Sequence, residues 1–175
     1  FGTARTAAPS NPSGNRSAIV AGTGQLAWDT GGKGFFTVDT AGTQAVVGFA
    51  EGRKLALGSV TFEVACPYAS IVLTAEERDR TLADSRRALL SAVARSCNTG
   101  LEYFSIDGKV LENGKGPILL EPVRAAITVS GRKVAGVDVL DHDGRRTGKK
   151  LPVEGGRFAI DGGRDRTMYY EVVFE

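Results

Sequence analysis

Short runs of apolar and β-branched residues, separated by glycine-bearing turns, recur along this chain. The run Val60–Val64 alternates apolar and polar residues with period two, which is typical of a strand buried on one face. Residues 31–34 separate two such runs, 25–29 and Phe35–Asp39, and predict a β-hairpin. The 23 glycines of the 175 residues follow no repeat and supply many turns. The pattern predicts an all-β fold, an antiparallel β-sandwich of jelly-roll or immunoglobulin-like type, with roughly a dozen short strands.

The length predicts one domain with at most a small appendage. Residues 1–17 are rich in Ala, Pro, Ser, Asn and Gly without periodicity and are interpreted as a linker or an extended arm. Residues 18–130 are predicted to form the β-sandwich. Residues 131–175 are predicted to add C-terminal strands that complete the sandwich or form a small β appendage.

The segment 75–96 is ambiguous between helix and strand. Its Ala, Glu, Arg and Leu content favours a helix on local propensity, with Leu82, Leu89 and Val93 along one stripe. In the alternative, residues 76–81 are a charged turn and residues 84–96 are a long strand.

Cys66 and Cys97 are the only cysteines, and each stands where a strand-like run meets a turn. If the residues between them fold back as a hairpin, the two thiols meet and form a disulfide, as in secreted proteins. The alternative is two reduced cysteines in a core, because spacing alone does not establish disulfide geometry.

Charge and hydropathy exclude several functional classes. A net charge of +2 gives a low prior for nucleic-acid binding, and no apolar run reaches the length of a membrane span. The single histidine, His142, lies in a turn without a nucleophile motif, so no catalytic residue, metal or cofactor is predicted. The basic run 145–150 is most simply a solvated face, with an anion site as the minor alternative.

Aromatic residues are the remaining candidates for a binding site. Trp28 lies beside Asp29 on the predicted hairpin, and a sugar ring stacks on an aromatic plane while its hydroxyls bond to polar side chains at the rim. Tyr68 and Tyr103 are further candidates for ligand binding. The alternative for Trp28 is a core anchor, the common role of a single tryptophan in a sandwich.

Several segments are similar in amino-acid sequence to one enzyme family: 25–29, 36–40, 43–49, 89–95, 98–100, 114–123 and 166–171. They resemble the C-terminal part of large cellulase-like glycoside hydrolases, in which β-sandwich modules follow a catalytic (β/α) barrel. The resemblance covers most of 24–174, although cysteines at positions 66 and 97 are not expected in the family.

The resemblance implies that 88–96 is a strand and that the chain is a non-catalytic part of a secreted or periplasmic polysaccharide-degrading enzyme. Its implied function is an accessory module that binds a polysaccharide or oligosaccharide. The alternative is a structural domain without sugar affinity, which packs on the catalytic domain of the same parent chain and stabilises it. Solvent exposure of Trp28 and of the tyrosines distinguishes the sugar-binding module from the structural domain.

Overall fold

Fifteen strands and one short helix make up the described part of the computed structural model, which comprises residues 18–103 and 109–175. The strands are β1 (Ala18–Val20), β2 (Leu26–Asp29), β3 (Phe35–Asp39), β4 (Thr43–Gly48), β5 (Lys54–Ala56), β6 (Val60–Val64), β7 (Ala69–Ala75), β8 (Arg87–Val93), β9 (Ser96–Tyr103), β10 (Val110–Leu120), β11 (Arg124–Val129), β12 (Val134–Leu140), β13 (Arg146–Leu151), β14 (Arg157–Asp161) and β15 (Tyr169–Phe174). The helix α1 is Gly162–Asp165. The predicted linker, 1–17, lies outside the described residues.

The strands form two stacked sheets and a separate hairpin, and every pairing is antiparallel. The large sheet has the order β1-β2-β3-β4-β7-β8-β15-β12-β13, and the small sheet has the order β14-β11-β6-β5. Strands β9 and β10 pair only with each other. The predicted all-β antiparallel sandwich is confirmed.

One continuous core lies between the two sheets. The small sheet contributes Phe62 and Ile127, and the large sheet contributes Ile71, Leu90 and Tyr170, all with no exposed surface. Strict alternation places these side chains inside, as in the buried–half-buried pattern of β6. Each fully buried side chain of this size contributes about 1.5–3 kcal/mol to folding.

Strands from the C-terminal part of the chain enter both sheets. β12, β13 and β15 belong to the large sheet, and β14 belongs to the small sheet. The last strand, β15, lies between β8 and β12 and pairs with both. Residues 131–175 are therefore integrated in the two layers.

The helical interpretation of 75–96 is wrong, because β8 is a strand in the middle of the large sheet. It pairs with β7 on one side and with β15 on the other. Ala88, Leu90 and Ala92 face the core, while Leu89 is half-buried on the opposite face. Pairing on both sides and burial with period two override local helix propensity here.

The charged residues before β8 form a turn. The Asp84 carboxylate accepts hydrogen bonds from the backbone N–H and the hydroxyl of Thr81, both at 2.6 Å. Leu82 anchors the turn with its buried side chain. This local bonding satisfies backbone groups that a helix would otherwise use.

The predicted disulfide does not form, because Cys66 and Cys97 are free thiols. The β7–β8 ladder ends at the pair Ser70 and Val93, and continuing its register would place the cysteines opposite each other. The chain leaves the ladder first: Cys66 turns into the core, and Cys97 is exposed on β9. Burial raises the pKa of the Cys66 thiol, which makes it a weak nucleophile.

A glycine is required at the end of β4, where it pairs with the start of β3. Gly48 has a φ of 124° and pairs with Phe35, and a Cβ at this position would lie 2.7 Å from Phe35 Cα. We expect Gly48→Ala to lower the free energy of unfolding by about 3 kcal/mol, from backbone strain and overpacking together. Urea denaturation of both proteins measures this difference.

Gly52→Ala is the matched control. Gly52 also has a positive φ, 70°, but no atom lies within 4 Å of a Cβ built on it. Only the cost of the left-handed backbone remains, about 1–2 kcal/mol. Equal losses in the two variants would contradict the role assigned to the β3–β4 contact.

Candidate functional site

A row of apolar side chains crosses the outer face of the large sheet, the face turned away from the core. The paired residues are Ile19 on β1, Trp28 on β2, Phe36 on β3 and Val47 on β4. We call these four residues the Trp28 row. Ile19 and Trp28 expose 59% and 52% of their surface, respectively, and Phe36 and Val47 are half-buried.

A second row on the same face is also apolar. Leu26, Val38, Ala45 and Val72 are paired in turn across β2, β3, β4 and β7. The sandwich core lies on the opposite side of these strands. Exposed faces of antiparallel sheets are normally polar, and an apolar face of this extent is typical of an interaction surface.

The Trp28 indole lies next to the turn before β3. Gly34 of this turn is close to the ring nitrogen, and a Cβ at this residue would be 3.4 Å from Trp28 Nε1. The hairpin between β2 and β3 therefore holds the indole on the outer face, as a partly exposed plane rather than a core anchor.

Asp29 does not lie beside the exposed ring. It follows Trp28 in the strand, so its side chain points to the opposite face, and only 2% of its surface is exposed. Its Oδ1 accepts a hydrogen bond of 2.8 Å from the N–H of Gly31. The carboxylate thus supports the turn between β2 and β3.

The two candidate tyrosines occupy different environments. Tyr68 precedes β7 and is half-buried, with its ring edge-to-face against Phe49 at 5.1 Å between centroids. The ammonium of Lys33 lies 5.1 Å from the Phe49 ring centre. Tyr103 is 60% exposed at the end of β9, on the separate hairpin, so it belongs to a different sheet from Trp28.

The β9–β10 hairpin is the second apolar surface. A two-stranded ribbon has no core of its own and is marginally stable in isolation. The described apolar side chains that it exposes are Tyr103, Val110, Leu111, Ile118, Leu119 and Leu120. Grooves of about 370 and 430 Å³ lie beside its base.

The other end of the outer face is charged. Asp138 on β12 and Glu171 on β15 are paired directly across the sheet, and both are buried. Arg146 Nε lies 2.7 Å from Glu171 Oε2 and 3.7 Å from Asp138 Oδ2. Lys150 and Arg87 approach the same carboxylates at 3.5 and 3.4 Å, respectively. These contacts form an ion network that neutralises the two acids.

The basic run 145–150 is engaged with carboxylates throughout. Arg145 contacts Asp143 at 2.5 Å, and Lys149 contacts Asp165 at 2.7 Å, in addition to the pairs of Arg146 and Lys150. Cations that are already paired attract an external polyanion weakly. The arrangement therefore gives little support to the anion-site alternative.

The apolar partners of Trp28 were not identified from the sequence. The signal is the pair of near-continuous apolar runs in β3 and β4, since strands covered on both faces lose their polar alternation. Such a run also fits an ordinary core strand, and only the register shows that Phe36 and Val47 lie beside Trp28.

Within residues 18–103 and 109–175, no helix has the length and apolar character needed to cross a membrane. In the same residues, no group of three or more His, Cys, Asp or Glu side chains is arranged to hold a metal ion. Comparison of the chain with protein-family models, curated proteins and solved structures finds no significant match.

The buried carboxylate of Asp165 gives a pH-dependent test of the ion pairs. Burial alone would raise its pKa, but hydrogen bonds from Arg164 and Lys149, and from the Tyr170 hydroxyl, hold that pKa well below its usual range. Its stabilising effect is therefore complete above the unfolded pKa, about 3.9, and is lost as the pH falls toward the folded value.

We expect Asp165→Asn to lower stability at pH 7 by about 2 kcal/mol, because the buried side chain loses charge-assisted hydrogen bonds from Arg164, Lys149 and the Tyr170 hydroxyl. The difference from the wild type should shrink below about pH 4. Thermal denaturation between pH 2 and pH 7 measures both effects. Asp143→Asn, whose carboxylate is exposed, should change little at any pH, and a D165N deficit that does not vary with pH would contradict the assignment.

Proposed function

We propose that this chain is a non-catalytic β-sandwich module that packs, through the outer face of β1–β4, on another domain of the same polypeptide. The observation that carries the proposal is the surroundings of Trp28. The exposed indole lies between the apolar side chains of Ile19 and Phe36, in a face that continues into a second apolar row.

The chemistry of this face favours a protein surface as its partner. Exposed apolar area contributes about 25 cal/mol per Å² when it is removed from water, and tryptophan is enriched among the residues that dominate interface energies. A site for a polar ligand needs a few polar groups placed around its apolar contacts. The residues paired with Trp28 supply none, and Asp29 is turned to the opposite face.

The resemblance of 24–174 to the C-terminal part of cellulase-like glycoside hydrolases supplies the context of this proposal. The partner would be the catalytic barrel of a secreted or periplasmic polysaccharide-degrading enzyme. Packing of the module on the barrel would stabilise the catalytic domain without contributing catalytic residues.

A carbohydrate-binding module is the second candidate. The observation in its favour is the exposure of Trp28 and Tyr103, since an exposed aromatic plane is what a sugar ring requires. The two rings lie on different sheets, so they would form two separate contact points rather than one groove.

A charge on the outer face tests the packing proposal. In the chain of 175 residues, Trp28→Lys should change the free energy of unfolding by less than about 1 kcal/mol, because the side chain is already half exposed. In the polypeptide that carries the partner domain, the same change should speed hydrogen exchange in β1–β3. Mass spectrometry of peptic fragments measures this.

Ala159→Lys, on the exposed face of the small sheet, is the control and should leave exchange in β1–β3 unchanged. Equal exchange in β1–β3 with and without the partner domain would overturn the packing proposal.

Affinity gel electrophoresis separates the two candidates. The isolated chain is run against neutral and acidic polysaccharides at two salt concentrations, and packing predicts unchanged mobility in every gel. Retardation by one glycan that is independent of salt and is lost in Trp28→Ala or Tyr103→Ala would replace the packing proposal with sugar binding.

A further inference from the structure

A mainly apolar groove of about 370 Å³ lies where the β9–β10 hairpin meets the end of the sandwich. Ile118 and Leu120 of β10 form one wall, and Val93 of β8 and Met168 form another. Ile118 is 65% exposed, so this wall is accessible to a ligand from solvent. The volume is at the lower end of the range for small-molecule sites, about 300–1,000 Å³.

Two basic residues also line this groove. Arg166 and His142 both contribute to its surface, and both are exposed. Among the described residues, Arg166 forms no ion pair, whereas its neighbour Arg164 is paired with Asp165 at 2.8 Å.

Among the described residues, the one carboxylate that lines the groove is already engaged. Glu121 receives hydrogen bonds from Arg95 Nε at 2.7 Å and from Arg95 Nη2 at 2.9 Å. This bidentate pair lowers the pKa of Glu121 and neutralises its charge. Arg166 therefore gives the groove a positive charge that no unpaired carboxylate offsets within the part of the lining that the structure describes.

We propose that this groove binds a small amphipathic carboxylate. Its apolar body would lie between the β10 wall and the β8 wall, and its carboxylate would pair with the guanidinium of Arg166. A planar guanidinium presents two parallel donors that match the two oxygens of a carboxylate. The proposal is independent of the packing proposal, because it uses the hairpin base and not the Trp28 row.

Octanoate is the probe, and binding is followed by ¹H–¹⁵N chemical shifts of the isotope-labelled chain. We expect saturable shifts at the groove amides of Ala94, Gly162 and Gly163. Arg166 has a φ of 54°, which asparagine tolerates, so Arg166→Asn removes the charge and keeps the backbone. This variant should weaken octanoate binding about tenfold or more, the loss expected for a charge-assisted hydrogen bond.

Matched controls separate recognition from general effects. Arg78→Asn removes an exposed arginine whose side chain is 96% accessible and should leave octanoate binding unchanged. Ile118→Trp, which fills the groove, should abolish binding, and Ile19→Trp, at an Ile of similar exposure on β1, should not. The uncharged probe 1-octanol should bind about tenfold more weakly than octanoate.

Three results would each overturn the proposal. One is the absence of saturable shifts at the groove amides. Another is equal affinity for octanoate and 1-octanol, which would mean that the charge is not recognised. The third is unchanged octanoate binding in R166N, with the folded state of the variant verified by its amide spectrum.

Discussion

The pairing of β15 between β8 and β12 holds the large sheet together. β15 is the last strand in the chain, yet it joins the strands that precede the hairpin to those that follow it. Tyr170 and Val172 on this strand are fully buried in the shared core. Without this strand, β12 and β13 would lose their connection to the rest of the sheet, and the core would open on one side. Folding of the whole sandwich therefore depends on contacts between residues distant in sequence.

Most of the fold could be predicted from local patterns, and the exceptions have physical causes. The alternation in Val60–Val64 and the turn before Phe35–Asp39 predict a strand and a hairpin that are present. Composition favours a helix for 75–96. This prediction fails because local helix propensity does not account for the two flanking strands that pair with β8. The disulfide prediction requires a hairpin between Cys66 and Cys97, and that hairpin is present as β7 and β8. The sequence does not reveal that the β7–β8 pairing ends before it reaches the two cysteines.

The candidate site was predictable only in part. Trp28 was identified as a candidate because an aromatic residue on a hairpin is a recognisable signal. The sequence places Asp29 next to Trp28, but neighbours in a strand point to opposite faces, so the two side chains do not share a site. The apolar partners of Trp28 depend on register, which follows from the assembled sheet. The outer face is thus divided between an apolar end and a charged end, where Asp138 and Glu171 are held by cations.

The surface position of Trp28 has a spectroscopic consequence. It is the only tryptophan in the chain, and its indole is half exposed in the folded state. Unfolding moves this ring from a half-exposed position to water, so its fluorescence is expected to change less on unfolding than that of a fully buried tryptophan. Covering the outer face would instead transfer the ring to an apolar environment. The chain therefore carries an intrinsic optical probe for contacts at that face, while the buried Tyr170 is a tyrosine that senses the core.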